Sequence, residues 1–160
     1  MGKDYSSDVI AFVERLKPTT LLCVGPEGGL FADYVAAEPA RRLRTAAPDT
    51  LLTEGPGERF DLAYLSATLE RLPRLQGERL LARLRDLYSR QLLVLAALDG
   101  TSGWTENDLL GFGMVRMGRY ADGAGLLALY RFDLATYKTT PDWFGPHHWA
   151  NPDRWDRDWW

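Results

Sequence analysis

One stretch, from Leu21 to Gly29, constrains the fold of this chain more than any other. The apolar run LLCV stops at the glycine-rich turn GPEGG, and an amphipathic segment, Leu30–Ala37, follows at once. This order predicts a buried strand, a tight loop and the start of a helix. In an open parallel sheet such a loop lies at the carboxyl edge, where glycines admit a ligand and the helix offers free N–H groups. The stretch therefore predicts an α/β fold of the nucleotide-binding type.

Charge and hydropathy set the broad class of the chain. Its 160 residues are 46% hydrophobic and 26% charged, which is ordinary for one globular domain. A net charge of −3 gives no general attraction to nucleic acid or to an anionic membrane. The arginines between positions 71 and 90 alternate with acids, which favours a solvated helix face over an RNA-binding strip. Nucleic acid is therefore an unlikely partner on the sequence alone.

The sequence shows no targeting or membrane segment. No apolar run approaches the about 20 residues of a membrane span. The opening MGKDYSSDVI lacks the basic and apolar regions of a signal peptide. We expect a soluble, cytoplasmic protein with no membrane partner.

Cysteine and histidine are too few for a disulfide framework or a metal centre. Cys23 is the single cysteine, and the two histidines, His147 and His148, are adjacent, where side chains rarely point at one ion. Cys23 is open to interpretation as a nucleophile, but its apolar strand has no histidine near it in sequence, which favours a buried, inert thiol. The sequence therefore predicts no metal ligands.

Apolar runs bounded by turn residues predict the strands. These strands are Thr20–Val24, a short one within Asp49–Glu54, Phe60–Ser66 and the central Leu92–Leu98. Met114–Tyr120 and Leu126–Leu134 flank an Asp-Gly turn, which predicts an antiparallel hairpin. Residues 38–44 show no clear period.

Helical spacing and capping residues predict the helices. They are a first helix after the N-cap candidates Ser6 and Ser7 that ends before Pro18, a second from Leu30 to Pro39, a third from about Gly77 to Arg90, and a fourth from Glu106 to Leu110. The third is expected to bury Leu80, Leu84 and Leu87 on one face. Thr105 and Asp108 form a capping box for the fourth.

In the order of these elements the chain resembles the class I S-adenosylmethionine-dependent methyltransferases. Leu22–Gly29 is similar to the loop that holds the methionine end of the cofactor, and Phe60–Leu72 to the family's fourth strand and the loop after it. Leu92–Leu98 corresponds to the fifth strand, and the hairpin to the antiparallel sixth and seventh strands. The resemblance covers roughly residues 8–134. It implies a Rossmann-like, mostly parallel sheet with a C-terminal antiparallel hairpin.

Departures from the family pattern bear on function. Cys23 stands where the family usually has an acid that anchors the loop and the cofactor's amino end, and Glu27 stands where it usually has glycine. The span from Gly29 to Phe60 is short for a helix, a strand, a helix and a strand, so the second-strand region is expected to be reduced. No acid clearly matches the ribose ligand. Glu54 best matches the acid that meets the adenine amino group.

The resemblance implies a set of cofactor-binding residues. They are Gly25, Pro26, Glu27, Gly28, Gly29, Glu54 and Ser66. The alternative is a structural turn retained at a strand–helix junction without a cofactor. Glu27 would bring a carboxylate near the carboxylate of S-adenosylmethionine, and like charges repel. We therefore expect binding of this cofactor to be weak or absent.

The sequence predicts no catalytic residue. Ser66, Thr68 and Glu70 lie where the family keeps catalytic or substrate groups, but capping residues of an ordinary loop explain them as well. The chain has no histidine before position 147 to act as a general base, and no Asp/Asn-Pro-Pro-aromatic motif. Two functions stay open. One is a weakened or inactive methyltransferase-like protein that binds a protein partner or a small ligand, and the other is an active methyltransferase of unknown substrate.

Five of the six tryptophans lie between Trp143 and Trp160. Residues 1–134 are expected to form the methyltransferase-like domain, and residues 135–160 a tail packed on it, because disordered segments are poor in aromatics. Alternatively the tryptophans bind a protein partner, since tryptophan dominates interface hot spots. The ending from Tyr137 to Pro152 also resembles that of a small, uncharacterised family of bacterial proteins.

Overall fold

The described part of the chain is built around a single sheet. The computed structural model describes residues 4–98, 103–122 and 125–133, so the predicted tail at 135–160 lies outside the described residues. The strands are β1 (Thr20–Val24), β2 (Arg42–Thr45), β3 (Phe60–Ser66), β4 (Ser89–Ala97), β5 (Val115–Asp122) and β6 (Gly125–Asp133). The helices are α1 (Tyr5–Leu16), α2 (Ala32–Ala36), α3 (Pro48–Thr53), α4 (Arg74–Arg83) and α5 (Glu106–Gly111).

The sheet has the order β2-β1-β3-β4-β6-β5. Its first four strands in that order run parallel, and β6 pairs antiparallel with both β4 and β5. This mostly parallel sheet with an antiparallel hairpin confirms the predicted fold class. The carboxyl ends of β1, β2, β3 and β4 therefore lie along one edge.

Successive side chains of the sheet pack on opposite faces, as the pleat of a strand requires. Leu22 of β1 belongs to the core that contains Leu80 of α4, whereas Cys23 belongs to the core that contains Phe12 of α1. Because helices cover both faces, the central strands are apolar on both sides and appear in the sequence as continuous apolar runs.

The structure confirms the sequence predictions for the buried strands. β1 and β3 begin and end at the predicted residues, and β4 contains all of the predicted Leu92–Leu98 except its last residue. The predicted hairpin forms from β5 and β6, although Leu134 lies outside the described residues. The capping box of Thr105 and Asp108 begins α5.

The prediction of a short strand within Asp49–Glu54 is wrong, because the segment forms α3. Pro48 occupies the first turn of this helix, where its missing N–H costs nothing, and Asp49 suits the positive end of the helix dipole. The strand of this region is β2, in the stretch that shows no sequence period. Three of its four residues are exposed, so it carries no apolar alternation.

The reduced region of the fold lies between β2 and β3. Residues 46–59 are all described, and they contain the helix α3 and no strand. In the order of the methyltransferases that the sequence resembles, β2 corresponds to the second strand, and the element missing here is the third strand. This confirms that the region is reduced and leaves β2 as an edge strand.

The N-cap of the first helix lies two or three residues before the predicted caps. Asp4, not Ser6 or Ser7, is the N-cap of α1, and its side chain accepts a hydrogen bond from the backbone N–H of Ser6 at 3.1 Å. The helix has 12 residues and ends before Pro18, as predicted. Across the described ranges, none of the helices combines the length and the apolar character needed to cross a membrane.

The helix predicted from Gly77 to Arg90 also has different ends. Its α-helical part is α4, a π-helical turn follows at Leu84–Tyr88, and Arg90 already belongs to β4. Leu87 was expected on the buried face, but 61% of its surface is exposed. The wider π turn breaks the 3.6-residue spacing, so the apolar stripe does not continue through it.

Gly77 and Gly111 provide a matched test of the packing of α4. A Cβ on Gly77 would lie 2.8 Å from the Cζ2 atom of the buried Trp104, whereas a Cβ on Gly111 would meet nothing within 4 Å. We expect Gly77→Ala to lower the free energy of unfolding by about 1–3 kcal/mol, the usual cost of overpacking. Gly111→Ala should leave it unchanged or raise it by up to about 1 kcal/mol, because alanine is the better helix former. Chemical denaturation measures both, and equal effects would contradict this packing.

Candidate functional site

The loop after β1 turns sharply at Gly25, beside the end of β3. Gly25 has a φ of +125°, and a Cβ at this position would lie 2.2 Å from the carbonyl oxygen of Ser66. Both the backbone conformation and the close approach exclude a side chain. The loop therefore lies at the carboxyl ends of the parallel strands, the edge at which open α/β sheets bind ligands.

A cavity of about 380 Å³ opens between the loops that follow β1, β2 and β3, and we call it the Pro26 cavity. Its lining residues are Gly25, Pro26, Thr45, Ala46, Ala47, Pro48, Ala67, Thr68, Arg71 and Leu72. The lining carries one guanidinium and no carboxylate. Its volume falls within the range of about 300–1,000 Å³ that is usual for small-molecule sites.

A second cavity, of about 320 Å³, lies on the other side of the same loops, and we call it the Glu70 cavity. Its lining residues are Tyr5, Glu27, Ala67, Glu70, Arg71, Leu95, Ala97 and Leu127. Ala67 and Arg71 line both cavities, so the two adjoin at the strand ends, and we call the pair the cleft. The two ends differ in charge, because only the Glu70 cavity has carboxylates in its lining.

The residue between the two cavities has an unusual backbone. Ala67 has a φ of +48°, in the left-handed region. An L-residue there costs roughly 1–2 kcal/mol, so the surrounding structure must hold it in place. Strain of this kind concentrates at binding and catalytic sites. The strained turn after β3 thus lies between the two cavities.

The carboxylate of Glu27 is held by two tyrosines. The hydroxyl of Tyr5 in α1 donates to Oε1 at 2.9 Å, and the hydroxyl of Tyr64 in β3 donates to Oε2 at 2.7 Å. Burial raises the pKa of Tyr64, and the hydrogen bond to Glu27 raises it further, so this phenol keeps its proton. Glu27 is therefore a fixed part of the cleft wall and not a loose charge in the loop.

Cys23 is a buried thiol beneath the loop. No part of its surface is exposed, and burial, assisted by the charge of Glu27, raises its pKa to about 11. Since the thiolate is the nucleophile, the thiol is inert at neutral pH, as its apolar strand suggests. It also supplies no charge at the position where the methyltransferases usually carry an acid.

Glu70 has one carboxylate oxygen without a partner. Its Oε1 accepts a hydrogen bond from the backbone N–H of Ala97 at 2.9 Å. Its Oε2 is buried and has no hydrogen-bond partner within the described part of the chain. An unsatisfied buried oxygen costs about 1–3 kcal/mol. Glu70 therefore carries one buried, unsatisfied acceptor, although its side chain also contributes to the lining of the Glu70 cavity.

The structure brings most of the predicted cofactor residues to this cleft. Gly25 and Pro26 line the Pro26 cavity, and Glu27 lines the Glu70 cavity. Gly28 and Gly29 begin the 3-10 turn that follows, and Ser66 is buried against Gly25. Gly28 and Gly29 line neither cavity, and a role of these six residues in binding a cofactor stays a prediction.

Glu54 does not join the predicted cofactor residues in the structure. It follows α3, is exposed, and lines neither cavity of the cleft. Its assignment depended on a strand ending at this position, and that strand is a helix.

Sequence reasoning missed Thr45 and Arg71. Thr45 ends β2 and follows Gly25 by 20 residues, which is the spacing at which Rossmann-like folds place a ribose-binding acid. That spacing alone would have located it. Arg71 lies in the 3-10 turn after β3 and carried no signal apart from its position near the motif.

A metal centre finds no support in the described residues, which contain no group of three or more potential ligands among His, Cys, Asp and Glu. His147 and His148 lie outside the described residues. The lining of the cleft carries carboxylates, hydroxyls and one guanidinium.

The raised pKa of Cys23 predicts its reactivity. Ellman's reagent should not label the native protein at pH 8, and it should label the single thiol in guanidinium chloride. An unfolded cysteine ionises near pH ~8.5, so between there and about pH 11 the folded chain binds more protons than the unfolded one. Stability should therefore fall as pH rises through this window, and Cys23→Ala should reduce the fall. Rapid labelling of the native thiol would contradict its burial.

The fold is similar to those of several solved methyltransferases. Magnesium protoporphyrin IX methyltransferase from Synechocystis PCC 6803, with bound S-adenosylhomocysteine, superposes with a TM-score of 0.60 at 13% identity, over 79% of this chain and 80% of that one. The N-methyltransferase NodS from Bradyrhizobium japonicum WM9, in complex with S-adenosyl-L-homocysteine, gives 0.55 at 17% identity, over 79% and 85%. The N-terminal domain of EvdMO1 with S-adenosylhomocysteine bound gives 0.59 at 13% identity, over 82% and 81%. At these identities the likeness establishes a Rossmann-like methyltransferase fold.

Sequence comparison identifies the family but no characterised relative. No curated protein matches the chain in sequence. The model of one protein family matches residues 3–160, which includes both the predicted domain and the tail. The separate resemblance of the tail to a small bacterial family stays a prediction. This chain belongs to the family of unknown function DUF6231.

Proposed function

We propose that the chain is a methyltransferase-like domain that weakly binds a small ligand of the S-adenosylmethionine type and transfers methyl groups slowly or not at all. The observation that carries this proposal is a cleft at the strand ends without the expected acids. Cys23 replaces the acid near the end of β1, and Thr45 ends β2. The solved structures of similar fold that carry S-adenosylhomocysteine support the class of ligand.

The two replacements weaken binding at opposite ends of such a ligand. The neutral, buried thiol of Cys23 offers no charge to an ammonium group. Thr45 offers a ribose one neutral hydroxyl oxygen, whereas a carboxylate offers two charged oxygens, one for each of two ribose hydroxyls. Losing a charged, bidentate hydrogen bond costs about 1.5–3 kcal/mol, roughly ten- to a hundredfold in affinity.

The contacts of Glu27 favour weak binding of this ligand rather than no binding. The sequence suggested that its carboxylate would repel that of the ligand. In the structure Tyr5 and Tyr64 each donate a hydrogen bond to it, and these hydroxyls stabilise the charge and fix its position. A carboxylate held in the Glu70 cavity is also able to attract a sulfonium or ammonium group. Repulsion by Glu27 is thus a smaller obstacle than the loss of the acids from β1 and β2.

The second candidate function is active methyl transfer, and Glu70 is the observation that favours it. Glu70 lines the cavity at the strand ends, where a carboxylate is able to accept a proton from a methyl acceptor. Release of S-adenosylhomocysteine from saturating S-adenosylmethionine, above the rate in buffer, would favour this function. No release would favour ligand binding alone.

The proposal has a second part, in which the tryptophan-rich tail binds a protein partner. It depends on the sequence, because residues 135–160 lie outside the described residues. Tryptophans dominate interface hot spots, and this composition suits either a protein partner or packing on the domain. The cleft and the tail are independent parts of the proposal.

Titration calorimetry tests the ligand and the cause of its weak binding together. We expect S-adenosylmethionine to bind with a dissociation constant above about 10 µM. Thr45→Asp places a carboxylate at the end of β2, at an exposed position of the Pro26 cavity, and should tighten binding roughly ten- to a hundredfold.

Thr53→Asp is the matched control, because Thr53 is an exposed threonine of α3 that lines neither cavity. It should leave the affinity unchanged. A wild-type dissociation constant well below about 10 µM would contradict the weakened site. No binding at millimolar ligand by either the wild type or Thr45→Asp would contradict the proposed ligand class.

A further inference from the structure

We propose that the Pro26 cavity prefers a nucleoside whose ribose carries a phosphate on its 2′ or 3′ oxygen. This inference rests on the proposed function in placing a nucleoside in the cavity, and it does not require S-adenosylmethionine to bind. Three features of the lining carry it. They are an apolar surface, a strand end without an acid, and an arginine without a partner.

The apolar part of the lining fits a nucleobase. It consists of Pro26, Ala46, Ala47, Pro48 and Leu72. Small-molecule sites are usually lined by such residues, with a few polar groups that fix the orientation of the ligand. The polar side chains of this lining are Thr45, Thr68 and Arg71. The hydroxyl of Thr68 already donates to the carbonyl oxygen of Ser66 at 2.8 Å, so Thr45 and Arg71 are left to contact the sugar.

Thr45 leaves the sugar position neutral. It ends β2, where Rossmann-like folds place an acid that accepts the ribose hydroxyls. Its hydroxyl lies against the glycine-rich loop, because a Cβ on Gly28 would be 3.2 Å from the Oγ1 atom. A carboxylate at this strand end would repel a phosphate on the ribose. The described lining of the Pro26 cavity contains no carboxylate, so this repulsion is absent.

Arg71 supplies a positive charge beside the same position. Its backbone N–H donates to the carbonyl oxygen of Thr68 at 3.0 Å, which fixes the residue in the 3-10 turn at the cavity. Its exposed side chain makes no hydrogen bond or ion pair within the described part of the chain. Arg74, one turn later, is instead held by Glu78 and Asp108, each at 2.9 Å. The guanidinium of Arg71 is therefore free to turn toward a ligand.

The neutral strand end and the free arginine together select for phosphate. Guanidinium and phosphate form charged, often bidentate hydrogen bonds, which are stronger than neutral ones. In Rossmann-like folds a nearby arginine accommodates a phosphate on the ribose, whereas an acid binds the unmodified hydroxyls. The replacement at Thr45 that weakens a ligand of the S-adenosylmethionine type thus favours a phosphorylated nucleoside.

Amide chemical shifts of the full-length protein measure the affinities. Adenosine 2′-monophosphate or adenosine 3′-monophosphate should bind about tenfold more tightly than adenosine, the low end for a charged hydrogen bond, because the arginine is exposed. Adenosine 5′-monophosphate carries the same charge on a different oxygen and should not show this gain. The signals of Thr45 and Arg71 should move on binding.

Two variants test the two side chains separately. Arg71→Gln should abolish the gain from the phosphate and leave adenosine binding unchanged. Arg79→Gln, at an exposed arginine of α4 outside both cavities, is the matched control and should change neither. Thr45→Asp should weaken the binding of the phosphorylated nucleoside about tenfold, although it is expected to tighten that of S-adenosylmethionine. Damage to the fold would weaken both ligands, so opposite changes exclude it.

Two results would overturn the inference directly. One is an affinity for the 2′- and 3′-monophosphates no higher than that for adenosine or the 5′-monophosphate, and the other is a gain that survives in Arg71→Gln. Inorganic phosphate that shifts the same signals at the same concentration would also overturn it, because the site would then need no nucleoside.

The same titrations separate this inference from the proposed function. If S-adenosylmethionine binds and the phosphorylated nucleosides bind no better than adenosine, the inference fails and the proposed function stands. If they bind through Arg71 and S-adenosylmethionine does not bind at millimolar concentration, the inference stands and the proposed ligand class fails.

Discussion

The cleft depends on the two hydrogen bonds that the carboxylate of Glu27 accepts. This carboxylate joins the loop after β1 to α1 through Tyr5 and to β3 through Tyr64. Hydrogen bonds to charged groups contribute about 1.5–3 kcal/mol each, so the pair holds the loop firmly over the ends of the parallel strands. The close approach of Gly25 to Ser66 fixes the same loop from the sheet side. Together these contacts set the positions of both cavities.

This arrangement relates the fold of the chain to its altered chemistry. The methyltransferases it resembles usually carry an acid at the position of Cys23, whereas here a carboxylate lies four residues later, at Glu27. That carboxylate already accepts two tyrosine hydroxyls, so less of its hydrogen-bonding capacity is left for a ligand. The end of β2 carries Thr45 in place of an acid. The cleft thus has the form seen in the methyltransferases but fewer acids that are free to bind a ligand. The proposed weak binding follows from this difference.

The sequence allowed prediction of the parts of the fold that local pattern determines. The strands β1 and β3 are buried on both faces and appear as largely apolar runs bounded by polar residues, so their ends were correct. The edge strand β2 is largely exposed and shows no such run, and the apolar residues of α3 were mistaken for a strand. In the cleft, the Gly25–Gly29 loop was recognisable from its glycines. The contacts of Glu27 were not, because Tyr5 and Tyr64 lie 22 and 37 residues away and only the fold brings them together.

A structure of crystals grown with saturating S-adenosylhomocysteine tests the account most directly. We expect the adenosine part in the Pro26 cavity and the amino-acid end directed to the Glu70 cavity. The carboxylate of Glu27 should still accept the hydroxyls of Tyr5 and Tyr64. A ligand bound outside the cleft, or a Glu27 released from both tyrosines, would contradict the account.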